Sequence, residues 1–231
     1  MINNGDVSLI VVRMNKQRYD IVGDIHGQYG KLTSLLYKLG YRPKDSTWRH
    51  LESRVVIFLG DYIDRGPRIR EVLHSVRGMC EAGDAIAIMG NHEYNAVCYA
   101  TPDGMGGYLK EHSERNTRTH SATLNQFEGK EEEWHEWIEW MKRLPLALDL
   151  GALRCVHACW DKQAVSMLKG KSLADDNLLR GCAEEGTANI SPSATCSKAR
   201  KCLLPPATCS ETRKAPIAIQ SEFAGGNCVT A

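Results

Sequence analysis

The stretch IVGDIHGQYGKL, Ile21 to Leu32, sets an aspartate, a histidine and three glycines directly behind a run of strand-forming residues. Two readings compete for Gly-Asp-Ile-His-Gly. It is either a polar tight turn or half of a metal site, and what surrounds it decides between them.

The same rhythm occurs three times. Tyr19 to Val22 leads into this loop and then into Leu32, Leu35, Leu36 and Leu39 at helical spacing. Val55 to Leu59 leads into GDYIDRGP and a second helical pattern through Ile69, Val72, Leu73 and Val76. Ala85 to Met89 leads into GNHEYN. Strand, loop and helix repeated in this order predict βαβ units and a largely parallel sheet with helices packed outside it, an α/β fold. Loops that leave the carboxyl ends of such strands line one edge, where ligands bind. All three polar loops are therefore expected to meet.

With 231 residues the chain can bury a substantial core, and one domain is the expectation. Its 29 basic and 28 acidic residues leave a net charge of +1, so no overall field favours nucleic acid or an anionic membrane surface. No segment reaches the roughly 18 to 20 apolar residues of a membrane span, and the N-terminus lacks a basic start leading into an apolar run. The expectation is a soluble, cytoplasmic protein. Nine cysteines without a CxxC pair fit neither a disulfide framework nor a zinc ribbon.

Beyond Asn95 the pattern weakens. Residues 101–128 are polar and read either as a cap over the site or as a surface insertion. EEEWHEWIEWMKRLP then predicts a helix, with acidic residues at its start, Pro145 at its end and Trp134, Trp137, Ile138 and Met141 on a core-facing stripe that leaves His135 exposed. LALDLGALRCVHACWD reads as a hairpin, with strands near Leu146 to Leu150 and Leu153 to His157 around Gly151.

Metal pairs that activate water are held about 4 Å apart by carboxylates and imidazoles, usually with one bridging carboxylate. Candidate ligands stand just past each strand-like run: Asp24 and His26, Asp61, Asn91, and His157. If extended geometry continues through the first loop, Asp24 and His26 face the same way and grip one metal. Singly each motif has a bland reading: a turn, a surface ion pair at Asp64 and Arg65, a helix cap at Asn91, a core histidine at His157. GDxHG, GDxxDRG, GNHE and a strand-terminal VHA in this order make that coincidence hard to sustain.

The set resembles the phosphoprotein-phosphatase branch of the calcineurin-like metallophosphoesterases over roughly residues 19–161. Bacterial members of that branch include protein phosphatases and symmetrical diadenosine tetraphosphate hydrolases. The resemblance implies a β-sandwich core flanked by helices and two divalent metal ions, manganese first with iron, zinc or nickel as alternatives. It implies that Asp24 and His26 bind one metal, that Asp61 bridges both, and that Asn91 and His157 bind the other, Asn91 also facing the substrate. His92 resembles the general acid, Asp64 the group that orients its ring, and Arg65 the phosphate clamp. The physics fits these roles: a water shared by two cations ionises near neutral pH, and a guanidinium fork matches two phosphoryl oxygens. A histidine paired to a carboxylate keeps one tautomer and a pKa suited to proton donation. Glu93 and Tyr94 are read as structural.

One part of that pattern is absent. The family supplies a later histidine to the second metal from a Gly-His motif, whereas none of the 74 residues after His157 is a histidine. Ser191 to Ala231 also hold four of the eight prolines and four of the nine cysteines, without sustained periodicity. A solvated linker favours charged and polar residues instead. A disordered tail is one reading; an altered reading frame or gene end near residue 188 is the favoured one. The expected division is a metallophosphoesterase domain over 1–188 with an incomplete C-terminal sheet, and an atypical tail over 189–231. The expected function is metal-dependent hydrolysis of phosphoric esters, serine/threonine protein phosphatase-like, on phosphoprotein or small phosphate ester or nucleotide. The alternatives are a symmetrical dinucleoside tetraphosphate hydrolase and an inactive remnant that binds metal or phosphate.

Overall fold

The computed structural model describes residues 9–14, 17–151, 153–159, 161–168, 170–183, 218–221 and 229–230. Strands β1 (Leu9–Met14), β2 (Gln17–Val22), β5 (Val55–Phe58) and β6 (Ala85–Ala87) form one sheet in the order β1-β2-β5-β6. β2, β5 and β6 are parallel and β1 is antiparallel at the edge. Between the parallel strands run α1 (Tyr29–Leu39) and α2 (Ile69–Glu81), as the apolar spacing predicts, and α3 (Asn91–Ala100) follows β6. A hairpin of β3 (Tyr41–Lys44) and β4 (Thr47–His50) interrupts the rhythm after α1.

A second, antiparallel sheet has the order β10-β9-β8-β7, with β7 (Ala147–Asp149), β8 (Leu153–Val156), β9 (Ala218–Ser221) and β10 (Val229–Thr230). Side chains alternate along a strand, so each sheet has two faces. Ile21 of β2 and Ile57 of β5 face the second sheet and pack with Leu59, Ile88, Leu153 and Cys155. Their neighbours Val22, Val56 and Phe58 point the other way, into a larger core with Leu32, Leu36, Ile69, Val72, Leu73 and Val76 of the helices. Each such fully buried aliphatic side chain contributes about 1.5–3 kcal/mol of transfer free energy. The result is a β-sandwich with helices on the outer face of its parallel sheet.

α4 (Glu114–Gln126) and α5 (Glu131–Lys142) lie in the segment before β7. Trp137, Ile138 and Met141 of α5 are buried and His135 is exposed, as the stripe predicts. α6 (Lys162–Leu168) and α7 (Asp176–Ala183) follow β8. Of the tail expected over 189–231, the described residues are β9 and β10, and β9 pairs with β8 through Cys155↔Ile219. The rest of that tail, and the point near residue 188 where the frame was expected to change, lie outside the described residues.

Candidate metal centre

Because β2, β5 and β6 are parallel and in register, their carboxyl ends deliver three loops side by side. Backbone hydrogen bonds tie the loops together: Ile25 N and His26 N both donate to Asp61 O (3.0 and 2.8 Å), and Gly27 N donates to Tyr62 O (2.8 Å). Two motif glycines permit the close approach. A Cβ at Gly66 would stand 2.1 Å from His26 O, and one at Gly90 would stand 2.4 Å from Asp61 N.

His26, Asp61, Asp64 and Arg65 all have positive φ, between 45° and 66°. For residues with a Cβ this conformation costs of order 1–3 kcal/mol each, so surrounding contacts must hold it. Glu93 supplies them. Its carboxylate accepts from Asp61 N and Tyr62 N (both 2.8 Å), Gly90 N (3.0 Å) and Ile63 N (3.4 Å), fastening the second loop to the start of α3. Burial and the neighbouring Asp61 charge push the Glu93 carboxyl up to about 7. The left-handed turn also corrects one expectation: Asp24 and His26 converge through a bend at His26, since extended backbone does not continue past Ile25.

Asp61 is the centre of the cluster. His26 Nε2 lies 3.6 Å from its Oδ2, His92 Nε2 4.0 Å from the same oxygen, and His157 Nε2 3.5 Å from its Oδ1. Asp24 Oδ2 is 3.9 Å from His26 Nε2. The Asn91 amide end lies 2.9 Å from His157 Nε2 and 3.0 and 3.1 Å from the Asp61 oxygens. His26 Nδ1 donates to Ile63 O (2.9 Å) and His157 Nδ1 donates to Leu59 O (2.7 Å). A carbonyl only accepts, so in the neutral rings each Nε2 is a lone pair. Burial lowers the His26 pKa, against Asp61, and keeps that ring neutral. Burial would raise the Asp61 carboxyl, but His157, His92 and His26 pull it below its usual range. Burial and Asp61 together raise Asp24.

His92 is oriented from its other side. Its Nδ1 donates to Asp64 Oδ2 (2.5 Å), leaving Nε2 toward Asp61, and Arg65 Nη2 lies 3.3 Å from that Nε2. Burial opposes charge on His92, yet the Asp64 hydrogen bond and the Asp61 charge outweigh it and raise its pKa. Asp64 is itself clamped by α4: His120 Nδ1 donates to Oδ1 (2.7 Å), Thr123 Oγ1 donates to the same oxygen (2.6 Å), and Asp64 N donates to Thr123 Oγ1 (3.0 Å). Burial would raise Asp64, but the His120 and His92 hydrogen bonds hold it well below the ordinary carboxylate range.

The sequence profile of the calcineurin-like phosphoesterases matches residues 18–181. The chain belongs to the calcineurin-like phosphoesterase family. Among its relatives, a bis(5'-nucleosyl)-tetraphosphatase PrpE [asymmetrical] of Bacillus subtilis (strain 168) is 47% identical over 74 residues, covering 32% of this chain and 30% of the relative. A protein of the same name from Oceanobacillus iheyensis is 31% identical over 141 residues, covering 61% of this chain and 55% of the relative. The chain thus spans about half, or less, of the length of the curated relatives it matches. Among solved structures, the cold-active protein-tyrosine phosphatase of a psychrophilic Shewanella gives a TM-score of 0.47 at 20% identity, covering 73% of this chain and 50% of that one. A putative diadenosine tetraphosphatase gives 0.35 at 20% identity, covering 59% and 46%.

Calcineurin-like phosphoesterases use divalent metals, and the donor set here fits such ions. His26 Nε2 is buried without a hydrogen-bond partner, and it faces the Asp24 and Asp61 carboxylates. Lone pairs crowded together with no proton between them are what a cation satisfies. The tightest trio is His26, Asp61 and His92, whose ligand atoms lie within 4.8 Å of one another. His92 therefore stands within ligand reach, although its raised pKa favours a protonated Nε2, which cannot ligate. All of Asp24, His26, Asp61, Asp64, Arg65, Asn91, His92 and His157 come together. His120 and Thr123 escaped the sequence reading, whereas Glu93, read as structural, holds the loops together. Glu93 follows the GNH signature directly, but nothing in residues 101–128 singles out His120 or Thr123.

Proposed function

We propose that the protein is a metal-dependent hydrolase of phosphoric esters. The observation that carries this reading is the clustering of Asp24, His26, Asn91 and His157 around Asp61, beside a His92 ring fixed by Asp64. Asp24, His26 and Asp61 would hold one divalent ion, and Asp61, Asn91 and His157 a second, manganese being the first candidate. Bound there, the ions supply a water ionised near neutral pH and Lewis acidity toward phosphoryl oxygen.

The chain's own residues do the rest. Arg65, exposed and next to His92 Nε2, presents a fork of N–H donors to two phosphoryl oxygens, and Asn91 would face the substrate as well. As water oxygen bonds to phosphorus and the bond to the leaving oxygen breaks, His92 Nε2 gives that oxygen its proton. Asp64 stabilises the imidazolium beforehand and holds Nε2 toward the centre. The water's protons pass to the phosphate product and, through solvent, back to His92.

Within this reading a serine/threonine protein phosphatase-like activity and hydrolysis of dinucleoside tetraphosphates share the same site. The names of the relatives support the second, in an asymmetrical rather than a symmetrical form. No described helix is long and apolar enough to cross a membrane, which accords with a cytoplasmic setting. The first set offers two carboxylates, Asp24 and Asp61, and the second offers Asp61 alone beside Asn91 and His157, so the second ion would be the more weakly held.

The test is hydrolysis of an aryl phosphate with and without manganese. Manganese-dependent turnover that falls by about two orders of magnitude in Asp61→Asn supports the reading. A folded sample that takes up manganese without turnover makes the chain a binding remnant and overturns it.

A further inference from the structure

A cleft of about 380 Å³ opens between α3 and α4, with Asp64 and His92 in its lining. One wall is a single face of α3, because His92, Asn95 and Tyr99 stand three and seven residues apart. The other wall carries Arg115 and Asn116 of α4, and the segment between the helices adds Lys110. Lys110 Nζ donates to Asn95 Oδ1 (3.0 Å), which holds the ammonium on the same side of α3 as His92. Among the described lining residues Asp64 is the one carboxylate, and both its oxygens are taken by His92, His120 and Thr123. Its described lining therefore offers an anion the side chains of Lys110 and Arg115 and several amide and hydroxyl groups.

Its position gives it a direction. His92 hands its proton to the leaving oxygen, so the space that continues from His92 along α3 is where the leaving group lies. The alcohol of a phosphoserine has nothing to offer Lys110 or Arg115, whereas a leaving group with its own phosphate pairs with both. The volume also falls within the range of small-molecule pockets. We propose that this cleft is the leaving-group subsite and takes a leaving group that carries phosphate, as in a nucleoside polyphosphate, with Lys110 and Arg115 as its specificity-determining cations. This rests on the phosphoesterase reading above. In such a substrate the water oxygen joins the terminal phosphorus, and the bridging P–O bond breaks with its electron pair on the leaving nucleotide's phosphate. His92 protonates that leaving oxygen, and the water's protons pass to the released phosphate and, through solvent, back to His92.

The experiment is calorimetric titration of the metal-free full chain with adenosine diphosphate, standing in for the leaving group, compared with Lys110→Ala, Arg115→Ala and the double variant. Arg115 is exposed, so Arg115→Ala tests the idea even where Lys110→Ala disturbs the Asn95 contact and fails to fold. The expected result is weaker binding by about tenfold for each charge removed, with Arg115→Lys intermediate. In the manganese-loaded protein, the ratio of kcat/KM for adenosine triphosphate to that for aryl phosphate falls in the same variants. Unchanged affinity in Arg115→Ala, or no binding by the wild type at millimolar diphosphate, overturns the subsite. Aryl phosphate turnover by the wild type reads the parent function separately: if it is present while diphosphate binding ignores both cations, only the subsite falls. If it is absent while binding responds, the phosphoesterase reading falls instead.

Discussion

Asp64 is held through both carboxylate oxygens and its own backbone, by His92, His120 and Thr123. Thr123 serves it twice, as donor to Oδ1 and acceptor from N, so Thr123→Val should leave a buried N–H unpaired. We expect a loss of about 1–3 kcal/mol in urea unfolding. His120→Ala removes one donor while leaving the His92 contact. For aryl phosphate, whose leaving group carries no phosphate for the cleft between α3 and α4, kcat should fall by about tenfold with KM within about twofold, because the change loosens the proton donor. Away from the centre, Asp20 is fully buried, accepts from Tyr41 Oη (3.0 Å) and pairs with Arg54. Burial raises its pKa despite both partners. A carboxyl whose folded pKa is raised contributes stability that is full below about 3.9 and is lost as pH climbs through the folded value. Asp20→Asn cannot ionise, so its Tm relative to the wild type should rise between pH 4 and neutrality. A flat difference across that range would show that the Arg54 pair offsets burial completely.

The loops after β2, β5 and β6 were legible because apolar runs, glycine and a returning helical spacing mark their ends without any knowledge of partners. Their internal geometry was not. Left-handed backbone at His26, Asp61, Asp64 and Arg65 depends on Glu93 and on glycines of neighbouring loops, which are tertiary facts. Gly66 and Gly30 separate the two kinds of glycine. Gly66→Ala drives a Cβ to 2.1 Å from His26 O and should abolish turnover while destabilising the chain by about 3 kcal/mol or more. Gly30, inside the first turn of α1, has nothing within 4 Å of the equivalent position, and Gly30→Ala should be neutral or stabilising by up to about 1 kcal/mol. Thermal melts of the pair check both. The β3–β4 hairpin went unseen for a related reason: Asp45 and Ser46 take φ of 48° and 71° without the glycine that usually announces such a turn. α4 was hidden by its composition, since a helix of mostly polar residues carries no apolar period.

Two sheets must assemble before the centre exists, since His157 follows β8 of the second sheet while the other candidate ligands leave the first. The sequence placed His157 at a strand end but could not say that Ile21, Ile57, Leu153 and Cys155 would press the sheets together. Packing across the sandwich thus aligns Asn91 with His157, and a bound cation should stabilise the whole assembly in proportion to its concentration. Chelation is accordingly expected to lower Tm. The most direct test of the centre is manganese binding to the full chain, followed by electron paramagnetic resonance, for the wild type and Asp61→Asn. One tight and one weaker ion per chain, with both affinities falling in Asp61→Asn, is the expected outcome, the weaker ion lying on the side of Asn91 and His157. Binding that is absent at millimolar manganese, or indifferent to Asp61→Asn, would contradict a metal centre built on Asp61.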